Sequence, residues 1–296
     1  MELRTRILPK MLNSEVETYL EQNDIIFVSV GTVELHGGYP LDSEAVISEA
    51  FALEMAEAAD GLMLPGLQYF YAGATASGRG TTQVSVRQGI DYLSAIAHSL
   101  LRQGFKRQVY MSFHGPAMMT CSPMVRDFYD ETGVPILYID LSTQMGKAAQ
   151  GMMAKSASMA DMGPDAMKKF MRMFHGVTLG AYDRLGRLED VPLATGYQHQ
   201  TPQSCARFND ILNMAAQSGS VGYCFQEHSD HMSTIDLPDA AARAALAAEG
   251  RAVITETVKQ MDPAHIVAQL RELDEYNRHT NEKFPWTPSA WNTREV

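Results

Sequence analysis

Residues 25–44 have the sequence IIFVSVGTVELHGGYPLDSE, and the organisation of the chain follows from this stretch. It begins with an apolar run rich in β-branched residues, which is typical of a strand buried on both faces of a sheet. Glu34 and His36 follow two positions apart, so they lie on one side of an extended chain. Asp42 and Glu44 then stand at the start of a predicted helix. Because open α/β sheets bind ligands where their strands end, the stretch predicts half of a metal site.

The rest of the chain alternates between helical and strand patterns. This alternation predicts an α/β fold with three layers (α/β/α) and a mostly parallel central sheet. The predicted strands are 25–31, 62–65, 108–113 and 134–139, of which the third ends in His114 and the fourth in Asp140. The predicted helices are 9–22 (capped by Asn13 or Ser14), 43–59, 85–104, 122–132, 143–175, 204–217 and 238–261.

No repeat and no linker rich in Pro, Ser or Gly divides the sequence, so we expect one domain over residues 1–296. From about residue 275 to residue 296 the sequence is polar with interspersed aromatic residues. We expect this C-terminal tail to dock on the same chain or on a neighbouring subunit.

The composition excludes some classes of partner. A formal net charge of −11 argues against a nucleic-acid surface, which needs clustered Lys and Arg. No apolar run reaches the roughly 18 residues of a membrane span. Three well-separated cysteines, with no secretory leader in view, favour the reducing cytoplasm. We therefore expect a cytoplasmic protein that acts on a small molecule, without nucleic acid or membrane.

Several short motifs resemble the creatininase (creatinine amidohydrolase) family, in the same order along the chain. The segment VGTVELHG at 30–37 is similar to the family's signature, and residues 45–50 are similar to its next helix. The first motif is the most specific one, and the likeness extends over about residues 25–255. The later motifs that resemble the family are RGT at 79–81, SFHG at 112–115, GSVG at 219–222 and AAEGR at 247–251.

The resemblance implies a metal-dependent amidohydrolase that forms a homo-oligomer, often a hexamer in this family. Carried over by residue, Glu34, His36 and His114 match metal ligands. Glu44 aligns with the family's bridging aspartate, and Asp42 is the competing choice. The family's fifth ligand is missing, because Pro116 occupies one of its places and residues 175–182 hold no acid. We therefore expect one divalent ion, zinc or manganese, rather than two.

The expected reaction is the hydrolysis of a C–N bond in a cyclic amide, a formamide or a small peptide-like substrate. A zinc ion with three protein ligands lowers the pKa of its bound water to about 7 and so supplies hydroxide. His36 is then a fourth ligand or a base, and His175 is a further catalytic or binding candidate that moves a proton.

Two other functions fit the altered ligand set. One is a biosynthetic enzyme of the same fold that catalyses condensation, dehydration or isomerisation. The other is a metal-free binding relative without catalysis, although the joint presence of Glu34, His36 and His114 argues against it.

The segment QEHSDH at 226–231 has two histidines with interleaved acids. Such a pattern either supplies missing metal ligands, forms a separate metal site, or is an exposed polar loop. We favour the exposed loop. Asp140 and Asp183 are lesser candidates, since each has the alternative role of a helix cap.

Overall fold

The computed structural model describes residues 3–152, 164–194, 204–215, 221–227, 231 and 236–284. In this part of the chain four parallel strands form one sheet, in the order β2-β1-β3-β4. The two central strands, β1 and β3, are thus neighbours. The strands are β1 (Ile25–Val30), β2 (Leu62–Leu67), β3 (Arg107–Ser112) and β4 (Leu137–Asp140).

Helices follow each strand and cover both faces of the sheet. The helices in the described residues are α1 (Asn13–Leu20), α2 (Ser43–Ala58), α3 (Val86–Gln103), α4 (Met118–Thr132), α5 (Leu141–Met152), α6 (Pro164–Arg184), α7 (Asn209–Met214), α8 (Ala240–Met261) and α9 (Pro263–Lys283).

Two hydrophobic clusters show why the fold has three layers. Because side chains alternate along a strand, Phe27 points to one face of the sheet and Ile26 and Val28 to the other. Phe27 packs with residues of α2, α6, α8 and α9. Ile26 and Val28 pack with residues of α1, α3 and α4. The predicted α/β fold is confirmed, and all described strand pairs are parallel.

Local signals in the sequence account for the ends of α3. Ser85 accepts a hydrogen bond from the backbone N–H of Gln88, whose side chain accepts one from the N–H of Ser85. This reciprocal pair is a capping box. At the other end Gly104 has a left-handed conformation (φ 108°), which ends the helix at little steric cost.

The structure adds one helix that the sequence did not predict, α9, and changes the bounds of some of the predicted helices. The chain after residue 275 is helical as far as Lys283, because α9 runs on through it from Pro263; residues 285–296 lie outside the described part. The helix predicted at 122–132 begins four residues earlier, at Met118. The helix predicted at 204–217 consists of a 3-10 turn, Ser204–Phe208, followed by the short α7.

No helix in the described part of the chain is both long enough and apolar enough to cross a bilayer.

Candidate metal centre

The two strands at the middle of the sheet bring their carboxyl ends together. In the parallel register Ser29 of β1 pairs with Met111 of β3, so the segments after both strands begin at the same level. The segment after β1 carries Glu34 and His36, and the segment after β3 carries His114. This is the edge at which open α/β sheets bind ligands.

Hydrogen bonds to the backbone hold the Glu34 segment in place. The N–H of Glu34 donates to the carbonyl of Leu41 (2.9 Å), and the N–H of Thr82 donates to the carbonyl of Val33 (2.9 Å). The Glu34 side chain is buried, and its Oε2 accepts a hydrogen bond from the hydroxyl of Thr75. The carboxylate therefore has a fixed orientation.

Glu44 reaches the same place from the first turn of α2. The helix approaches β1 closely here, because a Cβ atom on Gly31 would lie 2.5 Å from the Cα of Ala45. The Oε2 atom of Glu44 accepts a hydrogen bond from the hydroxyl of Thr32 (3.3 Å). A carboxylate in the first turn is also favoured by the helix dipole.

His114 is oriented by hydrogen bonds so that one ring nitrogen faces the carboxylates. Its Nε2–H donates to the backbone carbonyl of Tyr71 (2.8 Å), which leaves the lone pair of a neutral ring on Nδ1. Nδ1 lies 2.5 Å from Oε2 of Glu44 and 3.2 Å from Oε1 of Glu34. Candidate ligand atoms of these three residues all lie within 4.8 Å of one another.

The donor set fits a divalent cation. It combines one imidazole nitrogen with carboxylate oxygens, which are ordinary ligands of zinc and manganese. The hydrogen bond from a ligand histidine to a backbone carbonyl is the usual outer support of such a site. All three side chains are buried, so bulk water does not reduce the repulsion between the two adjacent carboxylates. A bound cation would do so.

The pKa shifts follow from burial and from the close charges. Burial raises the pKa of Glu44 to about 7. Burial works against the ionised form of Glu34 too, but the charge of His114 holds the pKa of Glu34 below its usual range. The two carboxylates outweigh the burial of His114 and raise the pKa of its ring. Without a cation the three groups therefore share protons as one unit.

His36 lies in the same buried region but has a different environment. Among the described residues neither of its ring nitrogens has a hydrogen-bond partner. Burial, with a further effect of His231, lowers the pKa of His36 to about 3, so its ring is neutral at pH 7. The His231 ring lies edge-on to it, with ring centroids 5.0 Å apart. Candidate ligand atoms of Glu34, His36 and His231 form a second group within 4.8 Å.

Asp42 does not join either group of candidate ligands. It accepts a hydrogen bond from the hydroxyl of Tyr182 (2.6 Å) and forms an ion pair with Arg187 (2.8 Å). Of the two acids between which the sequence left the choice open, Glu44 is the one that meets Glu34 and His114.

His175 projects from α6 and pairs with Tyr39. The Tyr39 hydroxyl and His175 Nδ1 lie 2.6 Å apart. Burial raises the pKa of Tyr39 and lowers the pKa of His175 to about 4, so at pH 7 a neutral phenol donates to a neutral ring. The proton of that ring is therefore on Nε2. His175 also makes a small contribution to the lowered pKa of His36.

Sequence reasoning missed two of these features and named the third only as one of three alternatives. Thr75 and Tyr39 carry no local signal, because only the folded chain shows that they support Glu34 and His175. His231 had a signal in the segment QEHSDH. Gln226 and Glu227 are exposed, in agreement with the favoured surface loop, but His231 is half-buried against His36. Residues 228–230 lie outside the described part.

Comparisons with known proteins agree with the fold described above. The solved structures that resemble the chain include creatinine amidohydrolase (creatininase), at 18% identity and a TM-score of 0.55; a creatininase variant of the Zn–Zn type, at 16% and 0.53; and a structure described as creatininase Mn, at 15% and 0.55. Each match covers 88% of this chain, and 99–100% of the other chain. No curated protein sequence matches.

A family model gives the assignment at the level of sequence. The model of creatininase, described as creatinine amidohydrolase, matches residues 9–176, which include every element from α1 to α5 and the three clustered residues Glu34, Glu44 and His114. The chain belongs to the creatininase family.

Proposed function

We propose that this protein is a metal-dependent amidohydrolase that cleaves a C–N bond of a small molecule, such as a cyclic amide, a formamide or a small peptide-like compound. The observation that carries the proposal is the buried group of Glu34, Glu44 and His114, in which the His114 tautomer presents Nδ1 to both carboxylates. Membership of an amidohydrolase family supports the class of reaction.

The cation is zinc or manganese in this proposal. Related structures described as Zn–Zn type and as creatininase Mn support these two metals, and a creatininase variant in complex with creatine supports a small substrate. Glu34, Glu44 and His114 hold the ion. When bound, such an ion supplies a Lewis acid and a nucleophilic water at neutral pH.

Other residues of the chain orient the metal ligands and take part in proton transfer and substrate binding. Thr75 and Thr32 fix the two carboxylates by donating hydrogen bonds to them, and Tyr71 fixes the His114 ring. His36, whose ring is neutral at pH 7, is our candidate for accepting a proton from the attacking water and passing it to the leaving nitrogen. His175, neutral and protonated on Nε2, is our candidate for binding the substrate by donating a hydrogen bond to it. Tyr39 keeps His175 in that tautomer.

The first experiment measures metal content and hydrolysis together. Purified wild-type protein is analysed by plasma mass spectrometry and screened against cyclic amides, formamides and dipeptides, beside the variants His114→Ala and His98→Ala. His98 is a matched control, because it also pairs with a glutamate (Glu131, 2.7 Å) but lies on α3, away from the site. We expect bound metal and turnover in the wild type and in the control, and loss of both in His114→Ala.

The other outcomes separate the competing functions. Metal that is bound through His114 without hydrolysis of any amide would favour a non-hydrolytic enzyme of this fold. A wild-type protein that binds neither zinc nor manganese would favour a metal-free binding relative.

A further inference from the structure

The last described helix, α9, carries an exposed apolar stripe along its second half. Side chains three and four positions apart lie on the same face of a helix, so Leu273, Tyr276 and Thr280 share one face. Phe284 continues this stripe, because its N–H still donates to the carbonyl of Thr280 (2.7 Å). The exposed fractions of Leu273, Tyr276 and Phe284 are 44%, 68% and 64%. Single exposed apolar residues are ordinary, but a continuous patch of them marks an interaction surface.

Contacts on another side of α9 hold the helix against the body of the protein. Val267 and Leu270 are buried in the cluster that also contains Phe27 of the central strand. Asp274 forms an ion pair with Arg107 at the start of β3 (3.0 Å). At 3.6 residues per turn, these body-facing side chains lie about 100° around the helix from the stripe. The stripe therefore has a fixed direction and points away from the core.

Two opposite charges flank the stripe near its two ends. Glu272 precedes Leu273, and Lys283 precedes Phe284. Glu272 and Lys283 are close to three helical turns apart, so both charges lie along the same flank. Among the described residues, neither charge forms an ion pair within the chain. The stripe is thus acidic at one end and basic at the other.

We propose that the stripe of α9 binds the same stripe of a second copy of this chain, with the two helices antiparallel about a two-fold axis. A two-fold interface joins a surface to itself, so the surface must be self-complementary. A stripe with opposite charges at its two ends meets this requirement when the helices run in opposite directions. The contact lies outside residues 9–176, which the family model matches, and it does not depend on the proposed function.

The antiparallel arrangement pairs specific side chains. With the axis near the middle of the stripe, Leu273 of each copy contacts Phe284 of the other, and Glu272 of each copy meets Lys283 of the other. Each apolar contact and each ion pair then occurs twice. The apolar contacts supply most of the binding energy, and the ion pairs set the direction of the helices.

The first test is the molar mass of the full chain in solution, measured by light scattering during size-exclusion chromatography at several protein concentrations. Tyr276→Glu places a charge in the middle of the stripe, and we expect the molar mass to fall to half that of the wild type. Tyr92→Glu is the matched control, because Tyr92 is 51% exposed but lies on α3, on the other face of the sheet. We expect the control to keep the wild-type mass. Circular dichroism checks folding, and Tyr276→Ser carries the same test if Tyr276→Glu does not fold.

Exchange of the flanking charges tests whether the occupant is a second copy. Glu272→Lys alone, or Lys283→Glu alone, places like charges opposite each other, and we expect the dissociation constant of the two copies to rise about tenfold. The double variant restores opposite charges between the copies, so its dissociation constant should return to that of the wild type.

Two results overturn the proposal. A wild type that is monomeric at every concentration, or whose mass Tyr276→Glu leaves unchanged, shows that a second copy does not cover the stripe and points to another occupant, such as residues 285–296. Equal dissociation constants of the single and double charge variants contradict the antiparallel pairing.

Discussion

The Nδ1 atom of His114 lies 2.5 Å from Oε2 of Glu44, although 70 residues separate them in the chain. The contact joins the end of β3 to the first turn of α2 and defines the centre of the candidate site. It also places Glu44, and not Asp42, among the candidate ligands.

Glu44→Gln keeps the size of the side chain and removes its charge. We expect zinc affinity to fall by at least about tenfold, since even residues that only support a ligand contribute 10- to 100-fold. Affinity is measured by competition with a chromophoric chelator.

Asp42→Asn is the matched control for Glu44→Gln. We expect unchanged zinc affinity, together with a loss of about 1 kcal/mol in the free energy of unfolding, because the contacts with Tyr182 and Arg187 are weakened. If Asp42→Asn loses zinc while Glu44→Gln keeps it, Asp42 is the ligand and our choice is wrong.

Thr75→Val removes the hydroxyl that donates to Glu34 and keeps the shape of the side chain. We expect zinc affinity to fall about 10- to 100-fold, because the carboxylate loses the group that orients it. Thr257→Val is the control, since Thr257 is equally buried but donates to the carbonyl of Val253 within α8. Equal zinc affinities of the two variants would show that Thr75 has no part in orienting Glu34.

Gly31→Ala tests the close approach of α2 to β1. The added methyl group would lie 2.5 Å from the Cα of Ala45, so the helix must move. We expect a loss of about 1–3 kcal/mol in the free energy of unfolding, typical of overpacking, and weaker zinc binding because Glu44 moves with the helix. The free energy of unfolding is measured by urea denaturation, and zinc affinity by competition with a chromophoric chelator.

Gly146→Ala is the control for Gly31→Ala. A Cβ at Gly146 in α5 meets no atom of the described residues within 4 Å, so we expect unchanged or slightly higher stability. A similar loss of stability in both variants would contradict the steric explanation.

His175 predicts a specific dependence of stability on pH. Burial lowers its pKa from 6.5 to about 4 in the folded protein. Between these values the unfolded chain binds a proton that the folded chain does not, so stability is complete above pH 6.5 and falls as the pH drops toward 4. The slope from this group is at most about 1.4 kcal/mol per pH unit.

His175→Gln should reduce that slope, because glutamine does not titrate. The measurement is the difference between wild type and variant in urea-derived free energy at several pH values from 7 to 4, in which the effects of the other histidines cancel. A difference that does not change with pH would show that His175 is not held neutral by burial.

Short-range patterns in the sequence are sufficient to predict most of the helices and strands and part of the candidate site. An apolar run predicts β1, and a capping box with a terminal glycine predicts α3, because the forces that form and end an element act within a few residues. The alternation in residues 34–36 likewise places Glu34 and His36 on one side of the chain. The order of motifs predicted the family, which the family model confirms.

Contacts between segments that are far apart in the sequence could not be predicted and are seen only in the folded chain. The rotation of α2 against Gly31 turns Glu44 toward His114 and Asp42 toward Tyr182, and no local pattern encodes that rotation. His231 meets His36 only because Phe225 binds the turn at Ala74 and Ser77. Periodicity and capping thus specify helices and strands, whereas the choice of ligands depends on packing between residues that are far apart in the sequence.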